Sequence, residues 1–223
     1  MADSRKWIIT IDGPAGSGKS TVAKFLAHEL NLLYLDTGAL YRSVAYKILV
    51  SGMADSDMLG LRELLARTKI HLQKNHEGMT VFIDQEDVGQ KIRTEEVAVL
   101  ASTVSAIPVV REALLPIQRN CARRTGLVAE GRDMGTVVFP EADFKFYLHA
   151  SAGERGRRRY LELVEKGVTP VYEDILASIT LRDKQDRERE ISPLRIPRDA
   201  HVIDTSRMTI QEVISEFLAV LQA

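Results

Sequence analysis

Short apolar runs alternate along the chain with stretches in which apolar residues recur every three to four positions. The runs Lys6 to Ile11, Leu32 to Leu35, Leu127 to Glu130, Phe144 to Leu148 and His201 to Ile203 read as buried strands. Between them, Lys19 to Leu30 repeats Val22, Phe25, Leu26 and Leu30 on one helical face, and Leu40 to Val50 repeats Leu40, Val44 and Ile48. Ser151 with Glu154, and Thr209 with Glu212, have the spacing of capping boxes, and Gly167 reads as the stop of the helix that Ser151 opens. Strands alternating with helices predict an α/β fold, with a mostly parallel sheet covered on both faces.

One stretch breaks this rhythm. Ile70 to Leu72 and Met79 to Ile83 are short β-forming runs separated by Asn75 to Gly78, which predicts a hairpin rather than a crossover between parallel strands. Residues 51–92 therefore read as a small unit inserted into a core made of residues 1–50 and 93–223. No internal repeat or low-complexity segment is visible.

Composition narrows the class more than it changes the fold. At 223 residues the chain suits one domain with an insertion or two small ones. Apolar residues make up 45% and charged residues 27%, which excludes fibrous or wholly disordered chains. Thirty basic and 31 acidic side chains leave a net charge of −1, so any anion site has to be local, and the overall balance asks for neither nucleic acid nor an anionic membrane. The single Cys121 falls in a helical segment and reads as a buried small hydrophobe rather than a nucleophile, in a reducing compartment. No apolar run approaches the roughly 18 residues of a membrane helix, and Trp7 to Ile9 is too short for a signal peptide, so a cytoplasmic protein is expected.

The most specific motif is Gly13-Pro14-Ala15-Gly16-Ser17-Gly18-Lys19-Ser20, which matches G-x-x-x-x-G-K-S/T. It follows a predicted strand and opens a predicted helix, where backbone N–H groups converge on an anion. The glycines allow close backbone approach, Lys19 reaches the β and γ phosphates, and Ser20 offers a hydroxyl to Mg²⁺; Thr21 completes the nucleotide-contacting segment. A switch GTPase would add a D-x-x-G after a strand and an N-K-x-D. The only D-x-x-G here, Asp57 to Gly60, follows no strand, and N-K-x-D is absent. Phosphoryl transfer to a second small anion is the reading that remains.

Such a transfer brings two polyanions together, and guanidinium groups are needed to offset their repulsion. Arg42 follows Asp36-Thr37-Gly38 in the first turn of the helix after the second strand, and Arg132 follows the third strand in Glu130-Gly131-Arg132-Asp133. Both are expected at the carboxyl edge of the sheet, where open α/β sheets bind ligands. Arg155, Arg157, Arg158 and Arg159 crowd a helix start, which reads as a lid over a triphosphate or as a solvated face paired with Glu154 and Glu162. Arg182, Asp186 and Arg189 share one helical face, as ligand contacts or as a mutual salt-bridge ladder. Arg111 would pass as a surface residue on pattern alone. Asp36 stands either near Mg²⁺ or as the N-cap of the next helix.

Asp36 to Arg42 (D-T-G-A-L-Y-R), Ile92 to Ala98, Pro108 to Leu115, Glu130 to Val138 (E-G-R-D-M-G-T-V-V) and Asp186 to Leu194 closely resemble bacterial cytidylate kinases, in order and through nearly the whole chain. The resemblance implies a three-layer P-loop NTPase fold with a five-stranded parallel sheet, a monophosphate-binding insert and a lid near residues 154–170. It also implies that Ser102, Arg111 and Asp133 face cytosine; that Arg42, Arg132 and Arg189 hold the monophosphate; that Arg182 and Asp186 hold the ribose hydroxyls; and that Arg155, Arg158 and Arg159 approach ATP. Thr37 keeps a hydroxyl where some relatives carry Ser.

A carboxylate suits the N4 amino group of cytosine, whereas uracil presents an acceptor there, and a buried mispaired group can be rejected by a factor of roughly 10⁴. The expected reaction is transfer of the γ-phosphoryl group of ATP to CMP or dCMP by a monomer, with Lys19, Arg132 and Arg42 catalytic and Mg²⁺ accompanying the ATP. Its rivals are a P-loop kinase of UMP, AMP or shikimate, and an ATP- or RNA-binding regulator that uses the arginine clusters as a phosphate-backbone patch.

Overall fold

A computed structural model describes residues 6–75, 78–123 and 125–222. Five parallel strands, β1 (Ile8–Asp12), β2 (Leu33–Asp36), β6 (Leu127–Gly131), β7 (Phe144–His149) and β8 (His201–Asp204), lie in the order β2-β6-β1-β7-β8. Register is direct: Ile8 to Asp12 run opposite Leu127 to Gly131, and Leu33 to Asp36 opposite Leu127 to Glu130. All five expected strands form. Several end one or two residues from their expected bounds; β1 starts at Ile8 and runs on to Asp12, whose carboxylate is a structural acceptor described below.

Both faces of the sheet are buried, as the alternation of side chains requires. Ile9, Ile11, Val128, Phe146 and Leu148 pack with Val22, Ala23 and Leu26 of α1 (Lys19–Glu29) and with Val213, Phe217 and Leu221 of α8 (Ile210–Gln222). Their neighbours Leu33, Leu35, Leu127 and Ala129 face the other way, into a cluster with Met134, Val138 and Phe139. In α1 the buried stripe differs from the expected one: Phe25 is exposed, and the small Ala23 and Ala27 sit inside instead. A helix lying close on a sheet brings its shortest side chains to the contact and displaces a ring to the edge. Leu40, Val44 and Ile48 of α2 (Thr37–Ser51) are buried as expected.

The expected hairpin is β3 (Ile70–Asn75) with β4 (Gly78–Ile83), antiparallel, Ile70 opposite Ile83 and Leu72 opposite Val81. Turn residues 76 and 77 lie outside the described residues. A two-residue strand, β5 (Glu86–Asp87), completes this second sheet. It is preceded by α3 (Met58–Arg67) and followed by α4 (Glu95–Val104) and α5 (Pro108–Cys121). The apolar cluster beneath it runs continuously from Ala39 and Leu40 through Leu61, Val81, Ile83 and Val88 to Val97, Val110 and Leu114. The small sheet thus has no core of its own and shares one with α2, α4 and α5. Cys121, half-buried at the end of α5, packs at the margin of the sheet's other cluster, and its Sγ donates to the Ile117 carbonyl.

Two further helices, α6 (Ala152–Glu165) and α7 (Tyr172–Glu188), form a pair beyond β7. Gly167, at φ +78°, ends α6: its N–H bonds Val164 and the next N–H bonds Leu163, the left-handed stop that its glycine signalled. The Thr209 box closes in both directions, Glu212 N–H to Thr209 Oγ1 and Thr209 N–H to Glu212 Oε2. The Ser151 box closes in one only. Ser151 Oγ accepts the Glu154 N–H, but the Glu154 carboxylate turns to Arg157 and Arg158, and the Ser151 N–H goes to Ser206. Two guanidinium groups one turn away outcompete a neutral amide for the carboxylate. Among the described residues no single helix is long and apolar enough to cross a membrane.

Candidate active site

The phosphate motif leaves the carboxyl end of β1 and returns as α1. Gly13, at φ +148°, passes so close to β7 that a Cβ would lie 1.9 Å from the Leu148 carbonyl oxygen, and Gly18, at φ +93°, is the N-cap of α1. Neither conformation suits a residue with a side chain. No side chain caps α1, so its first N–H groups point at the loop. Lys19, 5% exposed, folds back to donate to the Pro14 carbonyl at 2.7 Å and to Ser17 Oγ at 3.4 Å. Burial, aided by the positive charge of Arg132, lowers its pKa to about 7. Thr21 is exposed one residue beyond Ser20.

Asp12 shapes the neighbouring segment. Its carboxylate accepts the Met134 and Gly135 N–H groups, each at 2.8 Å, and so holds the π-turn Met134–Val138 that follows β6. Burial nevertheless pushes this carboxyl up to about 6. The Gly131-Arg132-Asp133 corner is thereby fixed against the phosphate loop. Thr37 Oγ1 donates to the Glu130 carbonyl at 2.7 Å, which ties the start of α2 to the same corner.

Asp36 is the N-cap of α2: Oδ1 accepts the Ala39 N–H at 3.0 Å and Oδ2 accepts Arg42 Nη2 at 2.7 Å. The cap is formed, and both carboxylate oxygens are engaged. Because α2 begins at Thr37, Arg42 lies in its second turn rather than its first. The carboxylate that reaches Ser20 is instead Glu130, at the end of β6. Its Oε2 accepts Ser20 Oγ at 3.0 Å, and its Oε1 accepts the Tyr34 hydroxyl. Burial, followed by the nearby charge of Asp36, raises the Glu130 pKa.

Arginines line the rim opposite the loop. Arg132 Nε donates to Asp186 Oδ2 at 2.6 Å; burial opposes its charge, but Asp186 more than offsets this and holds its pKa above the ordinary range. Arg182 is depressed by burial and then by the charge of Arg132, and its Nε has no partner. Arg189 donates from Nε to the Ser192 carbonyl at 2.7 Å and from Nη1 to Ser105 Oγ at 3.2 Å, while its Nη2 stands 4.0 Å from Asp133 Oδ1 with no hydrogen bond. Of the two readings of this row, the ladder within one helix is not formed. α7 ends at Glu188, so Arg189 leaves the helical row, and Asp186 pairs across to Arg132.

Arg111, unremarkable in the sequence pattern, is buried. It donates to the Ser105 carbonyl at 3.0 Å and to Asp133 Oδ2, and lies 5.5 Å over the Tyr41 ring. Asp133 is 2% exposed, and burial raises its pKa despite Arg111 and Arg189. The Ser102 side chain, on α4, turns to α7 instead: its Oγ donates to Gln185 Oε1 at 3.2 Å.

The α6 arginines are already occupied. Arg157 bonds Glu154; Arg158 bonds Glu154 and the Thr205 carbonyl; Arg159 bonds Glu162 and Glu95. Arg155 departs furthest from the expected contact with ATP. It is 2% exposed and spends its donors on Asp183 and the Ala150 and Ala15 carbonyls. This pair lines an open cleft of about 610 Å³ between the carboxyl ends of β7 and β8 and helix α7. Glu130, Tyr34 and Asp183 are the neighbours that sequence reasoning gave no role. A carboxylate closing an otherwise apolar strand was the available signal for Glu130.

Comparisons with known proteins show the family. A family model described as cytidylate kinase matches residues 9–223. A cytidylate kinase of Geobacter sp. (strain M21) is 47% identical over 207 residues, covering 93% of this chain and 89% of its own. One of Carboxydothermus hydrogenoformans is 45% identical over 213 residues, 96% of each chain. Among solved structures, an uncharacterized protein from Eubacterium ventriosum shares the fold alone, with a TM-score of 0.54 at 13% identity over 97% of this chain and 99% of that one. A phosphate loop together with a group of half-buried arginines, in a chain that matches this family from its first strand to its last helix, leads to one conclusion: the protein belongs to the cytidylate kinase family.

Proposed function

We propose that the protein transfers the γ-phosphoryl group of ATP to CMP or dCMP, giving ADP and CDP or dCDP. The observation that carries this reading is the set of buried guanidinium donors without partners, Arg182 Nε and Arg189 Nη2, on a rim that shares the charge field of Arg132 and Lys19. A buried donor left unmade costs about 1–3 kcal/mol, which an arriving anion or hydroxyl relieves. In this reading Arg42, Arg132 and Arg189 hold the acceptor phosphate, Arg182 and Asp186 the ribose, and Ser102, Arg111 and Asp133 the base. The attacking atom is an oxygen of the acceptor phosphate itself. Catalysis is therefore in-line positioning together with charge neutralisation by Lys19 and the arginines, and no side-chain nucleophile is needed.

Ser20 and Glu130 supply hard oxygen donors suited to Mg²⁺. Asp36, whose charge acts on Glu130, stands close enough to hold water around the ion. When bound, the ion adds neutralising charge between the two nucleotides. Residues 51–92 serve in this proposal as the monophosphate-binding insert and residues 154–170 as the lid. The enzyme works as a cytoplasmic monomer on free nucleotides, with no nucleic-acid or membrane partner. An enzyme-linked assay of ADP release tests the reading across CMP, dCMP, UMP, AMP and shikimate. CMP or dCMP is expected to give the highest kcat/KM, and preference for any other acceptor overturns it.

Lys19 makes a second expectation. With a free-enzyme pKa of about 7, it is mostly neutral at pH 8, and phosphates placed against it raise that pKa. Binding of ADP at pH 8 is therefore expected to be accompanied by net proton uptake, and affinity to increase as pH falls from 9 towards 7. Calorimetry in buffers of different ionisation enthalpy measures the uptake, which Lys19→Met should abolish; proton release by the wild type would contradict the assignment.

A further inference from the structure

α7 docks by apolar contact mainly in its first half, where Tyr172, Ile175 and Leu176 are half-buried and Ile179 is buried. Beyond Ile179 the buried residues are Asp183 and Asp186, two carboxylates one turn apart where an amphipathic helix would carry leucines. Each is met by an arginine from the carboxyl edge of the large sheet. Asp186 takes Arg132 through a single bond at 2.6 Å. Asp183 takes both terminal nitrogens of Arg155, Nη1 at 2.9 Å on Oδ1 and Nη2 at 2.5 Å on Oδ2.

The two pairs differ in what else could claim the arginine. The Arg132 side chain is 21% exposed, on the rim that faces the phosphate loop. An acceptor phosphate offers it a second, more highly charged partner in competition with Asp186. The Arg155 side chain is 2% exposed, and its remaining bonds run to backbone: Nε to the Ala150 carbonyl at 2.9 Å and Nη1 to the Ala15 carbonyl, within the phosphate loop, at 3.1 Å. Each nitrogen of Arg155 is thus already bonded within the protein, which leaves a ligand in the loop less to claim there than at Arg132.

We propose that Arg155 and Asp183 are a positioning pair. They anchor α7 to the phosphate loop and so keep Arg182 and Asp186 facing the acceptor, while the Arg132–Asp186 pair is the one the acceptor phosphate opens. This rests on the reading that Arg132 binds that phosphate. Without the Arg155 anchor, the second half of α7, which buries no apolar side chain beyond Ile179, has little to hold it once Arg132 turns to its ligand. The acceptor would then meet a loosened Arg182 and Asp186, whereas the donor would find its loop unchanged.

Asp183→Asn tests this in the full-length protein, read by hydrogen exchange of residues 172–188 and by steady-state kinetics. Exchange in α7 is expected to rise selectively, most of all with CMP bound. KM for CMP should increase roughly tenfold, since misplaced binding groups lose this much or more, while KM for ATP stays within twofold. Unchanged α7 exchange overturns the proposal. So does a rise spread equally over all elements, which a merely structural pair would produce, or an equal loss in both KM values. Asp183→Glu keeps the charge and displaces the fork by one methylene; it should give a partial form of both changes, and decides the matter if the amide variant does not fold. A wild type that ignores CMP would sink the acceptor assignment alone, because exchange in the ligand-free chain still reports on the anchor.

Discussion

Arg132→Ala is expected to lower turnover with CMP by roughly 10³-fold or more, the range in which a guanidinium on a transferring phosphoryl group acts. The size follows from position. Arg132 follows the end of β6, close enough to both Lys19 and Arg182 to shift their charge equilibria, and so stands between the phosphate loop and the arginines of the acceptor rim. The substitution also leaves Asp186 without its closest partner. Breaking a buried ion pair costs about 3–5 kcal/mol, so melting has to be measured alongside and the assay run well below the transition. Asp186 is now held below the usual carboxylate range by Arg132 against the opposing effect of burial, and losing that partner raises its pKa. Arg132→Lys keeps the charge without the fork and should fall between wild type and alanine. Full turnover by a folded Arg132→Ala would remove Arg132 from the machinery.

The second large effect is on acceptor choice. Asp133→Asn is expected to lower kcat/KM for CMP by roughly 10³-fold and to change kcat/KM for UMP far less, so that the preference between them narrows or reverses. Asp133 is 2% exposed, with Arg111 on Oδ2 and Arg189 4.0 Å from Oδ1. Its carboxylate can only accept, which suits an amino group and repels the O4 of uracil. Asparagine can still accept from Arg111 through its oxygen and then presents an amino group to the base, the pairing that suits uracil. Parallel assays with the two acceptors decide it. A ratio unaltered by the substitution would mean that selectivity resides elsewhere, with Ser102 and Arg111 next to be tested.

Much of the architecture was legible in the chain because it rests on local rules. Short continuous apolar runs became the five strands, the Gly13 to Ser20 spacing became a loop between strand and helix, and the Asn75 to Gly78 break became a hairpin. The site was legible as a set of residue types, because arginines that follow strand ends must arrive at one edge of a parallel sheet. Their partners were not. Asp186 belonged by spacing to a ladder within α7, yet it pairs with Arg132 from another element. Arg155 looked like an exposed lid residue and is among the largest fully buried side chains in the protein. Arg111 had no pattern to distinguish it from a surface arginine.

The sequence by itself determined which segments are strands and helices, where the chain turns, and that one strand end carries a loop shaped for phosphate. These follow from side-chain period, backbone freedom at glycine and the chemistry of a few adjacent residues. Only the tertiary structure decided which carboxylate each arginine meets and which buried donors are left unpaired. Ion pairing depends on distances between residues far apart in the chain, and burial sets its strength; neither quantity is carried by local pattern.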